Sequence, residues 1–159
     1  MDDYATILKE EQELVEKFKQ YQLEGEILAK LINFNAVGLE GDRTCFYVNF
    51  RVVDGKEIGD HDRTIYNVNF VGKNSEIEEL YKKAILFIAA DNEEKENLIL
   101  HRMKKNKALG MSDNDDNIIN YKNYLGKNFV ITVNDQQEVV YAMGVQQYFE
   151  NAEQEERSK

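Results

Sequence analysis

The sequence predicts a small, mainly β domain of five strands, with one helix in front of the sheet and a helical insertion before the fourth strand. Two observations carry this prediction. The stretch Thr44–Val71 contains two runs of β-branched and aromatic residues around a polar connection with glycines, which is typical of a β-hairpin. Three more runs of this kind flank the hairpin, and amphipathic helical patterns occupy the segments between them.

Residues Asp2–Tyr21 are predicted to form an amphipathic helix. Apolar side chains recur at helical spacing from Ile7 to Tyr21, with glutamates and lysines around the other sides. Glu26–Val37 follows as the first strand, and its poor alternation indicates a bulge or burial on both sides. We expect residues 1–23 to be a separate leading helix and residues 24–149 to be the domain itself.

The hairpin has a period of two, so each strand has an apolar face and a polar face. The apolar face is predicted to point inward: Phe46, Val48, Phe50, Val52, Tyr66, Val68 and Phe70. The opposite face carries an aromatic ring, two arginines and three asparagines: Cys45, Tyr47, Asn49, Arg51, Arg63, Ile65, Asn67 and Asn69.

Four further elements are predicted after the hairpin, two helices and then two strands: Ser75–Ala90, Asp91–Ala108, Lys127–Val133 and Val139–Val145. Residues 150–159 are mostly polar and rich in glutamate, and we expect them to form a disordered acidic tail.

This element order has two structural interpretations. Five short strands with a helix between the third and the fourth match a small Greek-key β-barrel, the OB-fold. Such barrels bind oligonucleotides on the outer face of their second and third strands, which here form the hairpin. The alternative is an open α+β sheet with helices on one side, and the order of elements fits both.

Composition limits the function classes. The chain has 159 residues, 42% of them hydrophobic, which suffices for one domain with a core. Its formal net charge of -10 opposes a general attraction to phosphate, so nucleic-acid binding would need a local basic surface. The single cysteine, Cys45, cannot form an internal disulfide and fits a reducing cytoplasm. No apolar run approaches the roughly 20 residues of a membrane span, and we expect no membrane association.

Candidate nucleic-acid-binding residues fall into two groups. On the polar face of the hairpin, a ring can stack on a base while cations and amides bind phosphates and base edges: Tyr47, Asn49, Arg51, Arg63 and Asn67. The densest basic cluster ends the second insertion helix, where the helix dipole alone also favours cations: Arg102, Lys104, Lys105 and Lys107.

Motifs for catalysis or metal binding are absent from the sequence. It contains no nucleophile elbow, no phosphate-binding glycine loop and no His-Glu-x-x-His pattern. The run from Asp113 to Asn117 lacks the glycine and glutamate of a calcium loop, and Asp60-His61-Asp62 has no second histidine or cysteine near it. We therefore predict a non-enzymatic protein without cofactor or metal, and rank an enzyme built from distant residues last.

Two segments, Phe46–Gly55 and Leu125–Val133, carry a family resemblance. With them, the chain from Glu26 to Tyr148 resembles a group of small phage-encoded single-stranded-DNA-binding proteins. The resemblance implies an OB-like barrel, single-stranded DNA as partner, and a role with replication or recombination proteins in the cytoplasm of a bacterial host. The tail departs from the group's pattern, because it ends in Arg157-Ser158-Lys159 instead of an acidic stretch with a terminal aromatic residue.

Two other expectations follow from the acidic, amphipathic character of the chain. One is an inhibitor or DNA mimic that acts through its carboxylates: Glu10, Glu11, Glu13, Glu16, Glu93, Glu94, Glu96 and the tail glutamates Glu150, Glu153, Glu155 and Glu156. The other is a homodimer, for which the leading helix offers an apolar stripe.

Overall fold

A computed structural model describes residues 4–53 and 64–155 of the chain. Its strands are β1 (Glu26–Leu39), β2 (Arg43–Val52), β3 (Ile65–Lys73), β4 (Asn128–Val133) and β5 (Val139–Gly144). Its helices are α1 (Tyr4–Tyr21), α2 (Ile77–Ala89), α3 (Glu93–Ala108) and α4 (Val145–Glu155), with short 3-10 turns at Asn74–Glu76, Asp113–Asp115 and Tyr121–Asn123. Within these ranges, no helix has the length and apolar character needed to cross a membrane.

The strands form one antiparallel sheet in the order β3-β2-β1-β4-β5. The five predicted strands are confirmed, but the predicted closed barrel is wrong. In the described part of the chain, β3 and β5 are the two edges of the sheet and no ladder joins them. Closure requires a tilt and stagger that bring the edge strands alongside each other, whereas here α2 packs against both of them. The architecture is therefore the open α+β sheet of the alternative prediction.

One side of the sheet, the inner side, packs on α2 and α3. Phe46, Val48 and Phe50 of β2 are buried there, as their alternation predicts. Helix α2 meets them with four buried residues at helical spacing: Leu80, Ala84, Ile85 and Ile88. This is the larger hydrophobic core, and it fixes which residues of β2 and β3 face away from the helices.

A second, smaller core covers part of the other side of the sheet. Leu28 of β1 and Val130 of β4 are buried there beneath α1 and α4. The rings of Phe18 and Tyr148 lie 5.6 Å apart, and the Tyr148 hydroxyl donates to the Tyr21 carbonyl oxygen at 3.1 Å. Helix α1 is thus packed on the sheet through its apolar stripe, and the half of this side formed by β2 and β3 stays uncovered by α1 and α4.

Helix α4 was not predicted from the sequence. Residues 150–155 are helical, in contrast to the disordered tail expected for residues 150–159; residues 156–159 lie outside the described ranges. The buried residues of α4 follow helical spacing: Val145, Tyr148, Phe149 and Ala152. Through this short apolar stripe, the segment packs against α1.

The link between α2 and α3 is fastened to β5. The Asp91 carboxylate accepts from the backbone N–H of Gly144 at 2.8 Å and pairs with Lys95 Nζ at 3.0 Å. The Asp91 carbonyl oxygen accepts from the Tyr141 hydroxyl at 3.1 Å. Because Asn92 then caps α3 by accepting from the Lys95 N–H at 2.8 Å, the helix begins where the sequence predicts a second start. These contacts hold α3 on the inner side.

Replacing Gly25 with alanine is expected to lower the free energy of unfolding by about 2 kcal/mol or more, because its φ of +84° is left-handed. In addition, a Cβ there would lie 2.9 Å from the carbonyl oxygen of Val133, which is backbone and cannot move aside cheaply. Gly38→Ala is the matched control, since a Cβ at Gly38 meets no heavy atom within 4 Å. We expect that variant to stay within about 1 kcal/mol of the parent. Chemical denaturation measures both, and equal losses would contradict this account of Gly25.

Candidate nucleic-acid interface

The uncovered part of the sheet displays fifteen side chains of β1, β2 and β3, which we call the outer face. Positions between them point to the core on the inner side, so these fifteen point away from it. The antiparallel register arranges them in five cross-strand rows: Lys30–Arg51–Ile65, Asn33–Asn49–Asn67, Asn35–Tyr47–Asn69, Val37–Cys45–Val71 and Leu39–Arg43–Lys73. None of the fifteen is acidic, although the chain as a whole has a net charge of -10.

An asparagine ladder crosses the outer face from β1 to β3. Asn33 Nδ2 donates to Asn49 Oδ1 at 3.2 Å, and Asn49 Nδ2 donates to Asn67 Oδ1 at 2.8 Å. These bonds hold three amides in one line across three strands. Each amide has more donor and acceptor sites than the ladder uses, so hydrogen-bonding capacity remains for a ligand.

Tyr47 occupies the centre of the neighbouring row. It is half-buried on β2, with Asn35 on one side and Asn69 on the other. Among the described residues its ring has no aromatic partner, whereas the aromatic residues of the cores contact each other in pairs. A partly exposed ring supported by a sheet is a stacking platform for an unpaired base.

Cations lie at the two ends of the outer face. Lys30 and Arg51 form one end, and Arg43 and Lys73 form the other. Arg43 and Arg51 are eight residues apart on β2, which is roughly 27 Å at the rise of a strand. In the described ranges no carboxylate forms an ion pair with any of these four groups. They are therefore available to bind phosphates along the length of the face.

An aliphatic row separates Tyr47 from the second pair of cations. Val37 and Val71 are 48% and 50% exposed, and Cys45 lies buried between them. Exposed apolar side chains next to a tyrosine favour contact with the flat faces of bases over contact with phosphates. The outer face thus offers separate positions for bases and for backbone charges.

Four of the predicted binding residues lie together on the outer face: Tyr47, Asn49, Arg51 and Asn67. Arg63 lies outside the described residues. Five other residues of this face were not predicted from the sequence: Lys30, Asn33, Asn35, Arg43 and Lys73. A register shift between Leu31 and Asn33 interrupts the period of two in β1. Because of this bulge, simple alternation does not predict which residues of β1 point to the outer face. A search that allowed one extra residue in β1 would have aligned them.

The cations of α3 are not part of this surface. Arg102, Lys104, Lys105 and Lys107 belong to a helix packed on the inner side, so the sheet separates them from the outer face. Two of the four already pair with carboxylates. Arg102 Nη1 lies 3.4 Å from Asp116 Oδ2, and Lys107 Nζ lies 3.4 Å from Glu78 Oε2.

Asp116 explains the position of Arg102. Burial opposes ionisation of its carboxyl, but hydrogen bonds from the Ile118 N–H, the Asn106 amide and the Arg102 guanidinium outweigh that effect. Together they hold the pKa of Asp116 below its ordinary value. Arg102 therefore helps to fix the loop after α3.

A cleft of about 710 Å³ lies between α2, α3 and residues 111–114 on the inner side. Its lining includes both lysines and glutamates, and Lys82 Nζ pairs with Glu79 Oε2 at 3.1 Å. Its wall includes Tyr81, whose hydroxyl donates to the Ile119 carbonyl oxygen at 2.7 Å. Burial raises the pKa of Tyr81 to about 12, so this group keeps its proton at neutral pH.

A metal site has no support in the described ranges, where no three His, Cys, Asp or Glu side chains are arranged to hold an ion. The Asp113 carboxylate of the calcium-like run instead accepts from Asn106 Nδ2 at 3.2 Å. Asp60, His61 and Asp62 lie outside the described residues.

Comparisons of the chain with protein-family models, with curated proteins and with solved structures found no match. The residues and their geometry are therefore the basis for assigning a function.

Asn49→Ala is expected to lower the free energy of unfolding by about 1 kcal/mol, because it removes both bonds of the partly exposed asparagine ladder. Asn69→Ala is the control on the same face, and a change within about 0.5 kcal/mol is expected for an exposed residue. Urea denaturation of the two variants beside the parent tests this. If Asn69→Ala costs as much as Asn49→Ala, the ladder has no structural role.

Proposed function

We propose that the protein binds single-stranded DNA on its outer face and has no catalytic activity. The observation that carries this proposal is the outer face itself, which has four cations, five asparagines, one partly exposed tyrosine ring and no acid on a chain of net charge -10. Binding would combine base stacking with phosphate contacts and would have little sequence preference.

The distribution of charge supports a nucleic-acid ligand. Random placement of 30 acidic residues on 159 would put several of them among fifteen mostly exposed or half-buried positions, yet the outer face has none. Phosphates would be repelled by most of the molecule and attracted to this one surface. The negative charge on the rest of the molecule then orients the ligand and does not abolish its binding.

The shape of the surface favours a single strand over a duplex. The outer face is three strands wide, or about 10 Å, and roughly 27 Å long between its terminal arginines. Its central features are the Tyr47 ring and a row of amides, which act on base faces and base edges. In a duplex those base faces are stacked within the helix and are not accessible to a flat sheet.

The strand order supports the proposed relation to OB-like barrels. β1 pairs with both β2 and β4, and joining β3 to β5 would close a five-stranded barrel. Between these two edge strands, the Tyr66 hydroxyl of β3 donates to Gln137 Oε1 in the turn before β5 at 3.3 Å. The proposal therefore includes the resemblance to phage single-stranded-DNA-binding proteins and a role beside replication or recombination proteins.

A DNA mimic is less well supported by the arrangement of acids. The glutamates of α1 and those at the start of α3 lie on helices packed against opposite sides of the sheet. They do not form one continuous strip like the phosphates of a duplex.

Tyr47→Ala is expected to weaken binding of an oligothymidine about tenfold, because it removes one stacked base. Arg51→Gln is expected to weaken binding several-fold through the loss of one phosphate contact. Fluorescence anisotropy of a labelled oligothymidine at low salt measures both. Lys104→Ala and Lys105→Ala are the matched controls, since they remove cations from the opposite side of the sheet, and they should bind as the parent does.

Two results would reject the proposal. One is the absence of binding to oligothymidine at low salt, where phosphate contacts are strongest. The other is a loss in Lys104→Ala or Lys105→Ala as large as that in Tyr47→Ala.

The salt dependence of binding is expected to be shallow for a nucleic-acid-binding protein. Four phosphate contacts to a single strand predict a slope of log K against log salt concentration of about -3 or shallower. A titration series at increasing sodium chloride measures this slope. A value much steeper than that would require more cations than the outer face contains, and would implicate α3 or residues outside the described ranges.

A further inference from the structure

Strand β3 is an edge of the sheet without the usual protection against strand pairing. Its nine residues pair with β2 without a register shift, and residues 64–72 contain no charge and no proline. Edge strands of monomeric proteins commonly carry charges, prolines or bulges. These features prevent the free N–H and C=O groups of the edge from pairing with a strand of another molecule. The composition of β3 therefore favours pairing.

The sequence of β3 is a chemical palindrome centred on Val68. Asparagines stand on both sides of Val68, aromatic residues come next, and β-branched aliphatic residues come last: Asn67 and Asn69, Tyr66 and Phe70, Ile65 and Val71. In a twofold interface, if residue i of one copy contacts residue j of the other, then residue j of the first copy contacts residue i of the second. A palindrome is the pattern that makes one strand complementary to itself in antiparallel pairing.

We propose that β3 pairs antiparallel with β3 of a second copy of this chain, about a twofold axis at Val68. On the outer side, Ile65 would then face Val71 of the second copy, and Asn67 would face Asn69 of the second copy. Ile65 and Val71 are 51% and 50% exposed in one copy, so the pairing would cover both. On the inner side, Tyr66 would face Phe70 of the second copy.

Neighbouring registers are less complementary. A shift of two residues would place Lys73 opposite Ile65 and Val71 opposite Asn67, so polar and apolar side chains would be mismatched. Over residues 64–72 the register centred on Val68 brings no charges together. Lys73 of each copy would lie opposite position 63, which is an arginine, so the proposed pairing ends at Gly72. Two contacts within one copy oppose the pairing. Part of β5 comes close to the edge of β3, and the Tyr66 hydroxyl donates to Gln137 Oε1 of the β4–β5 turn at 3.3 Å, which is long for an O–H···O bond.

Part of the apolar stripe on which the sequence predicts a dimer contact of the leading helix is already covered within one copy. Val15 and Phe18 of its apolar stripe are buried against α4 and the sheet. The edge of β3 takes that place in the proposal. Pairing there would also join two outer faces, because the row Asn33–Asn49–Asn67 would continue into Asn69, Tyr47 and Asn35 of the second copy.

Two double variants, both changed at residues 65 and 71, test the register. In Ile65→Lys with Val71→Lys, both outer aliphatic pairs become lysine against lysine, and we expect the dimer dissociation constant to rise at least about tenfold. In Ile65→Glu with Val71→Lys, both pairs become glutamate against lysine, and the dimer should persist. Sedimentation velocity from about 1 to about 200 μM, without DNA, measures the mass of each.

Leu109→Lys with Met111→Lys is the control, because these residues are 61% and 55% exposed and lie beyond α3, on a different surface. That variant should dimerise like the parent. A monomeric parent over the whole range, an unchanged dimer in the double-lysine variant, or equal loss in both test variants would each overturn the proposal. The readout is independent of DNA binding, so failure of the proposed function would leave this result intact.

Discussion

Burial of one side of the hairpin against α2 is the constraint on which the rest of the structure depends. Phe46, Val48 and Phe50 are each at most 9% exposed, and a shift of one residue would turn all of them to solvent. The register between β1, β2 and β3 is therefore fixed by the core. Every second residue is forced outward, and the outer face is the direct consequence.

The two sides of the sheet differ in which helices cover them and in the charges they carry. The inner side holds the larger core, and its helices carry both acids and lysines, some of which pair with each other at the surface. Part of the outer side is closed by α1 and α4, and the remaining part is free of acids. This segregation lets an acidic chain present a surface that attracts phosphate. It also leaves β3, which has no charge from Ile65 to Gly72, as one edge of that surface.

The sequence predicted the hairpin faces well because strict alternation in β2 and β3 is a local property. It did not predict the β1 part of the outer face, since the bulge between Leu31 and Asn33 breaks the period. The α3 cations were grouped with the hairpin because adjacency in the chain does not tell on which side of a sheet a helix packs. Barrel closure was also beyond reach, because strand count and order are shared by open and closed sheets. Helix α4 has only four buried positions, too few to outweigh its polar residues.

The central claim is that the outer face contacts bare bases, and side-chain amide signals in a nuclear magnetic resonance titration with oligothymidine test it most directly. The account predicts that the signals of Asn33, Asn35, Asn49, Asn67 and Asn69 shift together as the oligonucleotide is added. The signals of Asn106, within α3, and of Asn114, in the 3-10 turn that follows it, should keep their positions. Shifts confined to Asn106 and Asn114, or no shift of any of these signals at low salt, would contradict the account.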